Sequence, residues 1–266
     1  MTNEPPFTIL GASGWIGSAL VAGLQRQGNS VNAIDRTSLS SWLSSNRPTG
    51  TVVYAIGMTS DFRQRPHETV EAHVSLLSQV IQRKGLEDLV LISSTRVYAR
   101  SQNTSEDSAL PCQSTDPSDI YNISKLLGEA LILQDPRPGL KVVRLSNVIG
   151  QGQPKTTFIG SVLSEARRTG CVNIKQPPTT TKDYVSLDSV IELIPLIAKQ
   201  GRHRLYNLGS GINFSHADVA RWLQRQGTMV TFSLDADPGI SFPRLQIERL
   251  LSEFDQPENP FIQELL

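Results

Sequence analysis

The sequence predicts an α/β chain built on a doubly wound parallel sheet, with a smaller lobe formed by its C-terminal part. Three observations point there. Short apolar runs alternate with segments of helical period from the first residues onward, the pattern of successive βα units. The first run opens into a glycine-rich turn, Gly11-Ala12-Ser13-Gly14-Trp15-Ile16-Gly17, and a helical pattern follows it. A later run, Leu89-Val90-Leu91-Ile92, is apolar throughout, as a parallel strand covered on both faces requires.

Composition narrows the classes. At 266 residues the chain can bury a full core and still carry a small lobe. Its 25 basic and 25 acidic residues balance, so neither nucleic acid nor an anionic membrane is an expected partner. Met1 to Pro6 is polar, and no run of about 18 apolar residues occurs, so a soluble, cytoplasmic protein is expected. Cys112 and Cys171 match no metal or redox spacing and read as reduced, structural thiols. His67, His203 and His216 show no ligand spacing, and no metal is assigned.

Phe7 to Leu10 is the first strand, and Leu20, Val21 and Leu24 share one face of the helix that follows the glycines. Strand, glycine turn and helix together present backbone N–H groups and a helix N-terminus to a pyrophosphate. The spacing is G-x-x-G-x-x-G, and Gly11, Ser13, Gly14, Trp15, Ile16 and Gly17 are the expected cofactor contacts. Val31 to Ile34 reads as strand two and ends at Asp35. A carboxylate about twenty residues beyond such a turn accepts the adenosine ribose hydroxyls and repels a 2′-phosphate, which favours NAD. Arg36 offers the alternative of pairing with that phosphate, as NADP would need. After a short helix between Thr37 and Gly50, a third strand from Thr51 to Ile56 brings Ala55 and Gly57 to the cofactor side.

Glu68 to Lys84 carries Val70, Val74, Leu77, Val80 and Ile81 at helical spacing, a core-facing helix. His73 within it reads as a packed, hydrogen-bonded residue, with a cofactor-side role as the alternative. The strand Leu89 to Ile92 runs into Ser93-Ser94-Thr95, which puts hydroxyls at the carboxyl end of a strand, where open α/β sheets bind ligands. A polar loop from Ser101 to Asp119 is long enough for a lid or a substrate-contacting segment. Tyr121 opens the next helical pattern and Lys125 lies one turn on, an ammonium close to a phenol suited to proton transfer. Bringing that phenol from pKa about 10 to about 7 takes roughly 4 kcal/mol. An exposed i,i+4 pair supplies only about 0.2 to 0.5 kcal/mol. Burial and a second positive charge, such as an oxidised nicotinamide, are expected to supply the rest.

These pieces, with Ile92-Ser93-Ser94-Thr95-Arg96-Val97-Tyr98 and Tyr121-Asn122-Ile123-Ser124-Lys125, resemble the extended short-chain dehydrogenase/reductase family. The resemblance is to its NAD-dependent epimerase/dehydratase branch, which acts largely on nucleotide sugars. Arg144 to Gly152, Asp183 to Asp188 and Tyr206 to Gly211 extend the likeness. It implies a Rossmann domain over residues 1–150 and a mostly substrate-binding lobe over 151–266, from which some segments return to the Rossmann domain. It implies NAD or NADP as cofactor, a nucleotide-sugar substrate, and a homodimer through two-helix contacts. The catalytic hydroxyl falls on Ser94, the tyrosine on Tyr121 and the lysine on Lys125, with Tyr121 and Lys125 also touching cofactor. Lys125 would bind the nicotinamide ribose and lower the tyrosine pKa. Thr95, Asn147 and Lys182 fall on substrate-side positions.

Departures from the family bear on the reaction. Sugar-nucleotide 4,6-dehydratases carry Asp-Glu after the catalytic hydroxyl, where this chain has Thr95 and Arg96. Dehydration is therefore not expected, and a C4 epimerase or ketoreductase is. Reduction of a non-sugar carbonyl, or a regulator that binds NAD(P) without turnover, are the alternatives. His73 stands where the family has a helix asparagine, and Lys182 where it has an arginine; a lysine keeps the charge and loses the bidentate fork. In the C-terminal part, helices are expected around Phe158 to Ala166, from an Asp188 cap through Ala198, and over Ala217 to Arg225. Strands are expected at Cys171 to Lys175, Arg204 to Leu208 and Met229 to Leu234.

Overall fold

A computed structural model describes residues 5–58, 61–233, 239–259 and 261. Met1 to Glu4 and Leu234, on which two of the expectations above touch, lie outside the described residues. Six parallel strands form the main sheet: β1 (Phe7–Leu10), β2 (Val31–Ile34), β3 (Thr51–Tyr54), β4 (Asp88–Ser94), β5 (Leu140–Leu145) and β9 (Leu205–Leu208). Their order is β2-β1-β3-β4-β5-β9. This is the doubly wound order in which the third strand pairs directly with the first, and the crevice at its switch point opens between β1 and β3. The connection from β2 to β3 holds only the short helix α2 (Leu39–Ser44).

Strand alternation sorts the side chains onto two faces. Phe7, Ile9, Val53, Val90, Ile92, Val143 and Leu145 face α1 (Trp15–Arg26) and α7 (Leu187–Gln200). Leu10, Val52, Tyr54, Leu89, Leu91 and Val142 face α2, α4 (Leu76–Ile81) and α5 (Asp119–Gln134). Burying each such side chain is worth about 1.5 to 3 kcal/mol, so the layer that carries the crevice is a rigid platform.

The expected helix over Glu68 to Lys84 is not uniform. It comprises α3 (Pro66–Val70), a π-helical turn (Glu71–Ser75) and α4. The wider turn rotates the faces out of α-helical phase, so Val70 is exposed while Ala72 and His73 are buried. The helix α7 is capped by Ser186, whose hydroxyl accepts from the Ser189 N–H at 3.0 Å, and not by Asp188. Ser186 alone has the extended backbone of a cap; Asp188 lies inside the first turn.

After β5 the chain builds the second lobe around β6 (Asn147–Ile149), β8 (Thr181–Ser186) and β10 (Asn213–Ser215), and around β7 (Cys171–Ile174) paired with β11 (Met229–Phe232). The helices α6 (Phe158–Thr169) and α8 (His216–Arg225) pack with them about Ile159, Val172, Tyr184 and Leu223. Between these segments α7 and β9 return to the main sheet. Cys112 and Cys171 are free and exposed, so neither packs a core as a structural thiol would. Among the described residues no helix is long and apolar enough to cross a membrane.

Candidate active site

The glycine turn leaves β1 with its backbone pinned to the neighbouring strand: the Gly11 and Ala12 N–H groups both donate to the Ile34 carbonyl. Gly11 has φ +88°, and a Cβ there would press on the Ala55 backbone at 3.0 Å. A Cβ on Gly17 would meet the Gly11 carbonyl at 2.2 Å, so helix and turn can approach this closely only with glycine. Gly14 is the N-cap of α1 and supplies no side-chain cap. The first N–H groups of a twelve-residue helix therefore face the crevice without a protein acceptor from the cap, which suits a pyrophosphate. Trp15 clasps the far wall, its indole N–H donating to the Gln151 carbonyl at 2.9 Å.

Asp35 ends β2 beside this turn. Its Oδ1 accepts from the Thr37 and Ser38 N–H groups and from both their hydroxyls, between 2.7 and 3.0 Å. These bonds, that from the Ser38 hydroxyl foremost, hold the carboxyl down at about 2. Among the described residues Oδ2 has no protein donor, so one oxygen shapes the turn while the other is free for a ribose. Arg36 is exposed. The residues fit an NAD cradle: a turn only glycine can make, an open helix N-terminus, and an ionised acceptor at the end of β2.

Gly14, Trp15, Ile16 and Gly17 line a cleft of about 310 Å³ that Ala55, Gly57, Ser94, Tyr121, Lys125 and Asn147 also line. Thus most expected cofactor residues and all three expected catalytic ones meet at the carboxyl ends of β1, β3 and β4. Ser13 faces a separate surface depression, and Gly11 lies beneath the turn. The Tyr121 ring is held between Phe62, at 5.1 Å between centroids, and the edge of His73, at 5.2 Å. Lys125 is buried, donates to the Ile92 carbonyl at 3.0 Å, and has its ammonium 5.8 Å from the Tyr121 ring centre.

Electrostatics corrects one expectation. Burial raises the Tyr121 phenol, because it disfavours the phenolate; the hydrogen bond with Ser94 and the Arg96 guanidinium pull it back. Burial thus opposes the proton transfer, and the Ser94 hydrogen bond together with positive charge must favour it. Burial also brings the Lys125 ammonium down to about 8, with Glu129 acting against the fall. The protein charge that acts on the tyrosine is Arg96, in the sequence only a departure from the family pattern.

His73 takes the packed role. The Met58 N–H donates to its Nε2 at 3.2 Å, so Nδ1 carries the proton and faces the Ser124 hydroxyl at 2.9 Å. Ser124 in turn donates to the Tyr121 carbonyl at 3.0 Å. Burial and then Lys125 hold the imidazole neutral, down to about 2. Ser124 and Phe62 were not singled out in the sequence. Ser124 lies within the Tyr-to-Lys motif, whereas nothing in the local pattern marks Phe62.

The three substrate-side candidates are not brought together. Asn147 is at the cleft, its amide N–H₂ tied to the Asp183 carbonyl at 2.9 Å. The Thr95 hydroxyl turns toward the Leu145 carbonyl, at 3.5 Å. Lys182 lines a second cleft, of about 370 Å³, with Arg96 and Arg63. Beneath the site, Glu129 accepts from Ser93 and forms a buried ion pair with Arg144 at 2.7 Å. Arg144 also donates to the Tyr98 hydroxyl at 2.7 Å. This network ties α5, which carries Tyr121 and Lys125, to β4 and β5. Among the described residues no three His, Cys, Asp or Glu side chains group as metal ligands would.

None of the curated proteins matches the chain by sequence. Solved structures share its fold. One is dTDP-glucose 4,6-dehydratase from Bacillus anthracis in complex with NAD, at 17% identity and TM-score 0.78, covering 98% of this chain and 94% of that one. Another is RMD from Pseudomonas aeruginosa complexed with NADPH, at 20% identity and TM-score 0.78, covering 98% and 96%. L-threonine dehydrogenase from Phytophthora infestans superposes as well, at 14% identity and TM-score 0.81, covering 98% and 96%. The profile of the NAD dependent epimerase/dehydratase family matches residues 7–209, the span that holds the glycine turn, Ser94, Tyr121 and Lys125, and the chain is an enzyme that belongs to this family.

Proposed function

We propose that the chain oxidises and reduces a single hydroxyl or keto carbon of a nucleotide-linked sugar, as a C4 epimerase or a ketoreductase and not as a 4,6-dehydratase. The observation that carries this reading is the meeting of Ser94, Tyr121 and Lys125 in one cleft with the glycine turn. Tyr121 exchanges a proton with the substrate oxygen, and Ser94 hydrogen-bonds the same oxygen. Lys125 binds at the cofactor side, and Asp35 selects NAD over NADP. Bound NAD supplies the hydride acceptor. Asn147 contacts the substrate through its amide oxygen; Thr95 and Lys182 are kept as weaker substrate contacts. Dehydration needs a further acid and base after Ser94. Thr95 and Arg96 stand there, and neither is a carboxyl group.

Purified protein with NAD(H) and a panel of UDP-, GDP- and dTDP-sugars should interconvert at least one of them. Tyr121→Phe should lower kcat by about 10² to 10⁴-fold with KM little changed; unchanged turnover would remove Tyr121 from the chemistry. The main cleft is at the small end for ligand sites, which favours a second reading, reduction of a small non-sugar carbonyl. Ketones and aldehydes in the same assay separate the two. Tight NAD binding with no turnover of either class would instead favour a nucleotide-sensing regulator. The balanced charge supports the reading that neither nucleic acid nor an anionic membrane is a partner, and the polar N-terminus and lack of a long apolar run support a cytoplasmic location. A homodimer is the family expectation, and light scattering tests it.

A further inference from the structure

We propose that Arg96, backed by Lys182, forms an anion subsite beside Tyr121 that selects substrates carrying a carboxylate next to the reacting carbon. The inference rests on the reading of Tyr121 given above and narrows its substrate to acidic sugars of the uronate type.

The Arg96 guanidinium lies 5.3 Å from the Phe62 ring and 6.0 Å from the Tyr121 ring. Its Nε and Nη2 are buried and have no acceptor. These two nitrogens form one edge of the guanidinium, the fork that a carboxylate meets with two parallel bonds. A buried donor pair left unmet is costly, so such a pair calls for an acceptor. The neighbouring carboxylates are committed elsewhere: Asp119 binds Arg100 at 2.8 Å, and Asp116 also pairs with Arg100. The Ser118 hydroxyl accepts from Arg63 at 3.0 Å.

Further positive charge surrounds the fork. Lys182 has no carboxylate partner among the described residues, and its ammonium lies 4.9 Å from the Phe158 ring, which lines the main cleft. Arg96 and burial together depress its pKa to about 8, burial being the larger cause. Arg63 lines the same second cleft. Arg96 and Lys182, which line the second cleft, thus lie against Tyr121 and Phe158, which line the main one, and an anion on Arg96 would sit within a sugar's width of the Tyr121 ring. That position is too close to the reacting carbon for a nucleotide diphosphate, because the sugar itself must lie at Tyr121. The Arg96 backbone N–H donates to the Ser94 hydroxyl at 3.2 Å, which holds the residue's backbone beside Ser94.

The test is calorimetry on NAD-loaded protein carrying Tyr121→Phe, which turns nothing over, titrated with UDP-glucuronic acid, UDP-glucose and UDP. The first two differ only in carboxylate against hydroxymethyl. The acidic sugar should bind about tenfold or more tightly than the neutral one, and adding Arg96→Met should erase that preference. Should that variant fold poorly, Arg96→Lys, which keeps the charge and loses the fork, should reduce the preference. Equal affinity for the two sugars in the Tyr121→Phe protein overturns the subsite while leaving the nucleotide-sugar reading intact. So does an equal loss of all three ligands in Arg96→Met, which would place the diphosphate on Arg96. If NAD binds and neither sugar does, the nucleotide-sugar reading fails, and malonate at constant ionic strength decides the subsite. Thermal protection by malonate that Arg96→Met abolishes supports it; no protection overturns it.

Discussion

At the residue scale, Asp35 joins two tasks that can be separated. Its Oδ1 holds the turn through Thr37 and Ser38, while its charge is what we propose selects NAD over NADP. Asp35→Asn keeps an acceptor for the turn and removes the charge; Asp35→Ala removes both. NADP affinity relative to NAD is expected to rise roughly five- to tenfold in either variant, the loss of one screened repulsion. Only Asp35→Ala should lower Tm as well. Cofactor titration and thermal melts on the two proteins check this, and no gain in NADP affinity would refute the role given to Asp35. The residue was legible because chemistry fixes both its type and its distance from the glycines. Arg96 was legible only as an absence of acid. Its unmet Nε and Nη2 depend on which side chains the fold leaves around it, and no local pattern encodes that.

At the element scale, the π-helical turn between α3 and α4 is what delivers His73 to the back of Tyr121. Helical periodicity placed a core-facing helix there correctly, but it treated the segment as one phase from Val70 to Ile81. A π turn has no reliable residue signature, so the exposure of Val70 could not be read in advance. The turn has a pH consequence. The folded pKa of His73, about 2, lies below the unfolded value of about 6.5. The unfolded chain therefore binds more protons in that window, and stability is full above pH 6.5 and falls as the pH drops toward 2. His216, lowered to about 4 mainly by burial, adds to the loss between pH 6.5 and 4. His73→Asn, the residue the family usually carries, should melt less steeply with pH over that range than the parent protein. Parallel Tm profiles would show that His73 is not the group responsible.

At the scale of the whole molecule, alternation and glycine chemistry revealed the layered core. The strand order and the lobes' interleaving were less legible, because they depend on contacts between distant segments. Asn207 illustrates the difference: it stood out within a family motif, yet its use appears only in the fold. It is fully buried at the end of β9. Its amide donates to the Thr104 and Gln246 carbonyls at 2.7 and 2.9 Å, its Oδ1 accepts from Tyr98 at 2.9 Å, and its backbone N–H donates to Glu106 at 3.0 Å. One side chain thereby straps the loop after β4 and the C-terminal stretch to the central sheet, so this part of the loop is anchored and does not serve as a lid. Asn207→Leu fills the space but leaves the buried Thr104 carbonyl and the part-buried Gln246 carbonyl without their donor and the Tyr98 O–H without its acceptor, and should cost about 2 to 4 kcal/mol in urea unfolding. Asn207→Asp keeps the acceptor for Tyr98 and sets a second oxygen against both carbonyls, so it should be at least as costly. NAD affinity at the distant glycine turn should change far less than stability in both. If Asn207→Asp instead unfolds like the parent, the amide's two donated bonds do not hold the strap.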